Sequence, residues 1–202
     1  HLIDLLMFHP SLTIDVDNSS TGFSVTEVPV SPLSNFVFTR DQQITTAKGV
    51  IIGRFATPQR KFENYLMEAV WKQLGITPIG RMKEPALLEG GDFIPLGPDL
   101  ALLGVGTRTN MDAARQLMKE DLIGTDRFVV VEEVRDRSQT RSHLDTFFTP
   151  IDRHMCICVD KIAQDDPRYL RIAREFVKRD GAYVEEIQMP FGKWLRNEGF
   201  TI

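Results

Sequence analysis

The sequence predicts an α/β fold built from a repeated unit of two strands, a helix and a strand. Strand-like and helix-like apolar periodicities alternate three times along the 202 residues. Asp41, Asp92 and Asp145 recur at intervals of 51 and 53 residues. Because such units cannot bury both faces alone, they are expected to pack around a shared axis as one partial domain over residues 1–202. The approximate bounds of the units are 35–80, 87–134 and 143–189.

The first unit opens with two predicted strands, NFVFTRD, which ends in Asp41, and GVIIGRF. A helix is expected next, because Thr57 can serve as its N-cap, Pro58 suits its first turn and Gly75 suits the position after its end. The short segment ITPIG is expected to return as the last strand. The predicted buried stripe of the helix comprises Phe62, Leu66, Val70 and Leu74.

The second unit repeats this plan. The segment LLEGGDFIPL carries Asp92, LALLGVG is its partner strand, and RFVVVEEV closes the unit. Thr109 or Asn110 is expected to cap the intervening helix. The apolar positions of that helix are Met111, Ala114, Leu117 and Met118.

The third unit runs from HLDTFFTPI, which carries Asp145, to a second predicted strand, HMCICV. A helix is expected to begin at Asp166 and Pro167 and to stop near Gly181. The strand YVEEIQM then closes the unit, and a further helix, FGKWLRNEGF, is expected after it.

Composition and charge exclude several classes of function. The formal net charge is −4, and no basic block could neutralise a row of phosphates, so a nucleic-acid partner is not expected. No apolar run approaches the roughly 20 residues that span a bilayer.

The two cysteines, Cys156 and Cys158, do not form a disulfide framework, which indicates a cytoplasmic protein. The sequence leaves the oligomeric state open, although HLIDLLMF is apolar enough for an interface helix.

Equivalent aspartates in packed units are expected to point to one place. Several carboxylates in one pocket repel each other unless a cation lies among them. A guanidinium suits them well, because each carboxylate can accept a bidentate pair of hydrogen bonds from it. A metal is less favoured because no short metal-binding motif is present, so neither a metal nor another cofactor is expected. The alternative is that each aspartate merely begins a turn.

His143, two residues before Asp145, is a candidate acid/base group. Imidazole is suited to this work because its pKa lies near neutral pH. The alternative is a histidine of the surface or core with no chemical role.

Four motifs in this order, NFVFTRD, LLEGGDF, GVGTR and HLDTFF, resemble those of the guanidine-modifying superfamily. The closest similarity is to arginine deiminases, especially those of anaerobic protists, and it is strongest over residues 35–149. The resemblance implies a pentein fold, which is a pseudo-fivefold α/β propeller with the substrate at its hub. This chain would then hold about three and a half of the five units.

The resemblance also implies residue roles. Asp41 and Asp145 would bind the guanidinium of the substrate, and Glu89 and His143 would assist proton transfer. Asp92 would hold the amine or backbone side of the substrate. The remaining residues expected to line the pocket are Asn35, Phe38, Arg60 and Arg108. The two arginines would pair with the α-carboxylate of free L-arginine, whereas their positions alone suggest solvated surface charges.

The implied reaction is hydrolysis of L-arginine to L-citrulline and ammonia through an amidino group attached to a cysteine. In the family this cysteine lies in the last repeat, beyond the stretch that ends here at Ile202. Cys156 and Cys158 are interpreted as structural, because an apolar strand raises the pKa of a thiol. The chain is therefore expected to be an inactive fragment of a longer enzyme.

Two alternatives remain open at this point. One is a related hydrolase or amidinotransferase that acts on a substituted arginine or on agmatine. The other is a catalytically inactive module that binds guanidinium groups or serves in assembly.

Overall fold

The structure is a computed structural model of the 202-residue chain, and it describes Leu33 and residues 35–202. The apolar segment HLIDLLMF lies outside the described residues. The strands are β1 (Gln43–Thr46), β2 (Gly49–Ile52), β3 (Gly80–Arg81), β4 (Phe93–Pro95), β5 (Leu100–Val105), β6 (Arg127–Glu133), β7 (Phe148–Pro150), β8 (Cys156–Cys158), β9 (Arg171–Arg179) and β10 (Ala182–Pro190). The α-helices are α1 (Lys61–Gln73), α2 (Met111–Lys119), α3 (Asp160–Ala163) and α4 (Phe191–Asn197).

The first unit contains two strands, a helix and a short returning strand, but of the three predicted strands only GVIIGRF is found in place, since the segment ITPIG is strand only at Gly80. Strands β1 and β2 are antiparallel, and β3 lies parallel to β2. A 3₁₀ turn over Pro58–Arg60 leads into α1. Helix α1 ends at Gln73, and Gly75 follows the end of the helix as predicted. Its φ of +76° is the left-handed conformation that glycine adopts without strain.

The prediction that NFVFTRD forms a strand is wrong. Asn35–Asp41 forms consecutive turns, with the backbone N–H of Phe38 donating to the carbonyl of Asn35. Side chains of α1 hold this segment in place, since Asn35 N donates to Glu63 and Asn35 O accepts from Arg60. The first strand therefore begins only after Asp41, at β1.

The predicted buried stripe of α1 is also wrong in part. Leu66 is buried, but Phe62 is 43% exposed and Leu74 is 67% exposed. Helix α1 instead turns the polar side chains of Glu63 and Asn64 inward, together with Leu66 and Met67. The inward rotation follows from hydrogen bonds that the sequence pattern does not reveal, namely Gln42 Nε2 to Glu63 and Asn64 Nδ2 to the carbonyl of Gln42.

The second unit supplies strands β4, β5 and β6 of a five-stranded mixed sheet with the order β10-β9-β6-β5-β4, in which β6 is the central strand and β4 an edge strand. Strands β5 and β6 are parallel, whereas β4 is antiparallel to β5. Helix α2 connects β5 to β6, and its predicted cap is confirmed, because Asn110 Oδ1 accepts a hydrogen bond from Ala113 N.

The helix expected between Asp166 and Gly181 is wrong. This stretch is mostly strand β9, which forms an antiparallel hairpin with β10 through a turn at Asp180 and Gly181. Both turn residues have positive φ, as the tight turns of right-twisted hairpins require. Strand β9 also pairs with β6, so the edge of the central sheet determines its conformation. The helix of this unit is instead the four-residue α3, whereas the final helix, α4, is confirmed.

Two apolar clusters cover the two faces of the five-stranded sheet. On one face, Leu103, Phe128 and Val130 pack with Leu117 of α2. On the other face, alternate residues of the same strands pack with the apolar side chains of α4; these are Leu102, Val129, Val131, Phe191, Trp194 and Leu195. This sandwich places the carboxyl end of β5 beside the segment that carries His143. In the part of the chain that the structure describes, no helix is long and apolar enough to cross a bilayer.

Candidate active site

The turn Glu89-Gly90-Gly91-Asp92 brings three parts of the chain together. A Cβ atom on Gly90 would lie 1.9 Å from the carbonyl oxygen of Arg40, and one on Gly91 would lie 2.7 Å from Nδ1 of His143. Neither position has room for a side chain. The two glycines therefore let the backbone approach both the turn that ends at Asp41 and the imidazole of His143.

The imidazole of His143 lies between two carboxylates. Its Nε2 is 2.9 Å from Oε2 of Glu89, and its Nδ1 is 3.9 Å from Oδ1 of Asp41. Glu89 is fully buried. Burial by itself lowers the pKa of His143, but the hydrogen bond to Glu89 and the surrounding negative charges outweigh it and raise this pKa above its ordinary value. The ring is therefore suited to carry and release a proton near neutral pH.

Asp92 lies on the other side of the same histidine. Its Oδ1 accepts a hydrogen bond of 2.9 Å from the backbone N–H of Leu144, which follows His143 in the chain. Burial raises the pKa of Asp92 to about 7, although the charge of His143 and the nearby Thr109 hydroxyl oppose the shift. Asp92 thus helps to hold the segment that positions the imidazole.

Arg60 lies inside the cluster and is only 3% exposed, so the prediction from its position alone, a solvated charge, is wrong. Its Nη1 donates to Oδ2 of Asp41 and its Nη2 donates to Oε2 of Glu63, both at 2.8 Å. Nη1 also lies 3.8 Å from Oε2 of Glu89. The guanidinium stacks on Phe55, with its carbon 4.2 Å from the ring centroid. The positive charge of Arg60 offsets the mutual repulsion of these carboxylates.

The remaining candidate residues lie around this centre. Asp145 is partly exposed, with Oδ2 3.7 Å from Nε of Arg40, and burial raises its pKa. Arg108 donates to Thr57 Oγ1 at 2.7 Å and to Gln139 Oε1 at 3.1 Å.

Arg108 also reaches the edge of the cluster, since its Nη1 is 3.9 Å from Oε1 of Glu89. Asn35 contacts the cluster through its backbone, whereas Phe38 is 59% exposed. The structure therefore gathers Asp41, Arg60, Glu89, Asp92 and His143, with Arg108 and Asp145 at the margin. The individual roles assigned to these residues stay predictions.

Asp41, Glu89 and His143 could supply ligands to a metal ion, because one donor atom from each lies within 4.8 Å of the others. The guanidinium of Arg60 already occupies the neighbouring space and contacts the same two carboxylates. A divalent ion there would be repelled by this fixed positive charge. The three donor groups therefore suit a singly charged cation, such as a second guanidinium, better than a divalent metal ion, because the repulsion from Arg60 is smaller.

Sequence reasoning missed Glu63, which is completely buried and bonded to Arg60, Gln42 and Asn35. The spacing of three residues between Arg60 and Glu63 was the available signal, since such pairs meet on one side of a helix.

The two cysteines lie on β8 in the smaller β7–β8 sheet. Burial raises the pKa of both thiols, that of Cys158 to about 12. Neither cysteine is therefore ionised near neutral pH, as expected of structural residues.

Solved structures of pentein-fold enzymes are similar to this chain. A citrulline complex of DDAH from Pseudomonas aeruginosa superposes with a TM-score of 0.52, at 23% identity over 65% of this chain and 49% of that chain. The product-bound N-terminal domain of ArgZ, a cyanobacterial arginine dihydrolase, gives a TM-score of 0.51, at 22% identity over 60% of this chain and 42% of that chain. The α/β pentein fold is therefore confirmed.

The family model for arginine deiminase matches residues 5–198. The chain belongs to the arginine deiminase family.

Individual relatives agree with this assignment. Arginine deiminase of Halobacterium salinarum is 24% identical over 85% of this chain and 47% of its own length. Arginine deiminase of Staphylococcus aureus is 33% identical over 61% of this chain and 32% of its own length. The chain thus spans half or less of the curated relatives that it matches.

Replacing Glu89 by Gln is expected to lower the pKa of His143, because the imidazolium loses its charged hydrogen-bond partner. The measurement is a titration of the histidine Cε1–H signals by NMR, in a chain with four histidines. Glu120→Gln, on a surface glutamate bonded to Lys83, serves as the control and should leave the signal unchanged. An unchanged titration in Glu89→Gln would contradict the paired geometry.

Replacing Asp92 by Asn is expected to remove a pH dependence of stability. With a pKa of about 7, folded Asp92 keeps a proton that the unfolded chain has already lost above about pH 4. The free energy of unfolding should therefore fall as pH rises through this window, by about 1.4 kcal/mol per pH unit for a full proton. Urea denaturation between pH 4.5 and 7 should show a smaller fall in Asp92→Asn. The exposed Asp152→Asn variant should keep the wild-type slope, and equal slopes in all three proteins would refute this role of Asp92.

Proposed function

We propose that this chain is part of an arginine deiminase that hydrolyses free L-arginine to L-citrulline and ammonia. The observation that carries the proposal is the His143–Glu89 pair, 2.9 Å apart, set among buried carboxylates in a chain of the arginine deiminase family. Such a pair supplies a proton donor with a raised pKa beside groups that attract a cationic substrate. The solved citrulline complex of DDAH, which has the same fold, is compatible with this assignment.

The substrate guanidinium would lie between Asp41 and Asp145. Arg60 already donates to Oδ2 of Asp41, so the substrate would meet Oδ1, the oxygen that faces His143 at 3.9 Å. Asp145 is free of hydrogen-bond donors within normal range among the described residues, since Arg40 lies 3.7 Å away. Both carboxylates would keep the substrate cationic and its central carbon electrophilic.

In the first half of the reaction, a thiolate attacks the guanidinium carbon and a sulfur–carbon bond forms. A carbon–nitrogen bond then breaks, and the leaving amino group takes the proton of protonated His143 and departs as ammonia. In the second half, neutral His143 accepts a proton from water, and the resulting hydroxide attacks the amidino carbon. The sulfur–carbon bond then breaks while the new hydroxyl group loses its proton to solvent, which releases citrulline and the thiolate. Glu89 would orient the imidazole in both halves of the reaction through the hydrogen bond at Nε2 of His143.

The nucleophilic thiol would come from outside the described residues. Cys156 and Cys158 have raised pKa values and lie in the smaller sheet rather than in the His143 cluster. We therefore propose that the chain is a fragment and is inactive by itself. We also propose that the whole protein is cytoplasmic and uses no cofactor.

Arg108 is the better candidate to recognise the α-carboxylate of the substrate. Its present partners, Thr57 and Gln139, are neutral and can be exchanged for a carboxylate at little cost. Arg60, by contrast, is buried and committed to Asp41 and Glu63. A free amino acid is therefore preferred over agmatine, which lacks the carboxylate.

The full-length protein that contains this chain is expected to form citrulline from arginine, whereas the 202-residue chain alone is expected to form none. In the full-length protein, His143→Ala should lower kcat by about 10²- to 10⁴-fold, because the proton donor is lost. His154→Ala, on a surface loop, is the matched control and should retain activity. The measurement is citrulline and ammonia release.

Other outcomes of this assay would contradict the proposal. Faster turnover of agmatine, dimethylarginine or peptidyl arginine than of arginine would refute the substrate assignment. Binding of arginine to the full-length protein without any citrulline would instead support an inactive binding module.

Arg108→Ala in the full-length protein is expected to separate arginine from agmatine. Loss of a charge-assisted hydrogen bond to the α-carboxylate should lower kcat/KM for arginine by about 10- to 100-fold, mainly through KM. The kcat/KM for agmatine should stay nearly constant. Arg115→Ala, on the exposed side of α2, should affect neither substrate. Equal losses for both substrates in Arg108→Ala would rule out carboxylate recognition by Arg108.

A further inference from the structure

A small cavity of about 10 Å³ lies beside His143, and the proposed mechanism does not use it. It has room for one molecule of the size of water. Its lining includes His143, Asp92, Glu133 and the backbone of β5. The cavity and the Asp41–Glu89 cluster therefore share the same histidine.

Two glycines at the end of β5 create the space for this cavity. Gly104 and Gly106 are two residues apart and so face the same side of the sheet. A Cβ atom on Gly104 would lie 2.4 Å from Oδ1 of Asp92, and one on Gly106 would lie 2.4 Å from Oε2 of Glu133. The two carboxyl groups thus occupy the positions that side chains of the strand would otherwise take.

Each of these carboxyl groups has one buried oxygen without a hydrogen-bond partner among the described residues. The two atoms are Oδ2 of Asp92 and Oε1 of Glu133. Asp92 is 3% exposed, and the nearby Thr109 hydroxyl does not meet Oδ2 in hydrogen-bonding geometry. A buried carboxyl oxygen without a donor is costly, so a donor in the cavity would stabilise both groups.

The arginines that border the cavity do not supply this donor. Arg141 donates from Nε to Asp136 at 2.6 Å, and Arg171 donates from Nη2 to the same carboxylate at 3.0 Å. Both guanidinium groups are thus directed towards Asp136. Asp92 and Glu133, which carry the unpartnered oxygens, both line this space, and only a small donor can enter it.

We propose that this cavity binds one ammonium ion, held between the carboxyl groups of Asp92 and Glu133. Ammonium has the size of water, carries four N–H donors and brings the positive charge that two desolvated acids favour. A water molecule has only two donors and no charge.

The source of the ammonium rests on the proposed function. The leaving amino group takes one proton from His143 and departs as ammonia, which then takes a second proton from solvent and becomes ammonium beside the residue that borders both spaces. The cavity would thus receive the first product before water attacks the amidino group.

Ammonium binding can be tested on the 202-residue chain without any turnover. The thermal unfolding midpoint is measured in ammonium chloride, sodium chloride and tetramethylammonium chloride at equal ionic strength. We expect a saturable rise of about 2 °C or more in ammonium alone, because a ligand that binds the folded state stabilises it. The same midpoints in all three salts would overturn the proposal, and so would an equal rise in sodium chloride.

Variants locate the effect in the cavity. Glu133→Gln keeps the shape of the side chain but removes its charge, and it should abolish the rise in ammonium. Glu132→Gln is the matched control, because Glu132 is the neighbouring residue of β6 and pairs with Arg174 instead. It should keep the rise. A full ammonium response in Glu133→Gln would overturn the assignment.

A second measurement does not depend on the folding of any variant. NMR of the wild-type chain with ¹⁵N-labelled ammonium should show a bound signal whose protons exchange slowly with water, and its absence would also overturn the proposal. Failure of the proposed function is distinguishable from failure of this inference. Ammonium binding in a full-length protein that does not convert arginine would refute only the function, and turnover without ammonium binding would refute only the cavity site.

Discussion

The carboxylates of Asp41, Glu63 and Glu89 can lie together in a buried pocket because the guanidinium of Arg60 lies among them. Without this charge, mutual repulsion and burial would destabilise the group of three carboxylates. The same guanidinium also connects three segments of the chain: the turn before β1, the start of α1 and the glycine-rich turn before β4. The position of His143 depends on this arrangement, because Glu89 and Asp41 are its two partners.

The sequence predicts the elements best where local signals agree with the final packing. Gly75 and Asn110 mark helix boundaries through backbone conformation and capping, which are local properties, and both predictions are confirmed. A helix is predicted in place of strand β9 because Asp166 and Pro167 are typical of a helix start and Gly181 of a helix end. The segment is a strand because it pairs with β6 and because the chain turns at Asp180. The pairing with β6 is a tertiary interaction, which the local sequence does not show.

Residue types and motifs identify the members of the candidate site but not the direction in which each side chain points. The motifs single out Asp41, Glu89, Asp92 and His143, and the structure brings these four together. The inward direction of Arg60 is fixed by Glu63 and Phe55. The three-residue spacing indicates that Arg60 and Glu63 can meet, but it does not show that both point inward. The unpartnered oxygen of Glu133 is likewise invisible in the sequence, because it depends on glycines of a neighbouring strand.

The close contact between Gly91 and the ring of His143 has a consequence for how the protein can evolve. The glycine-rich turn has no room for a side chain, since an added methyl group at Gly91 would displace the imidazole, and one at Gly90 would strike the backbone. Substitutions are therefore tolerated more easily at the margin, where Arg108 contacts the neutral side chains of Thr57 and Gln139 and lies 3.9 Å from Glu89. Sequence change can accumulate there while Gly90 and Gly91 are retained.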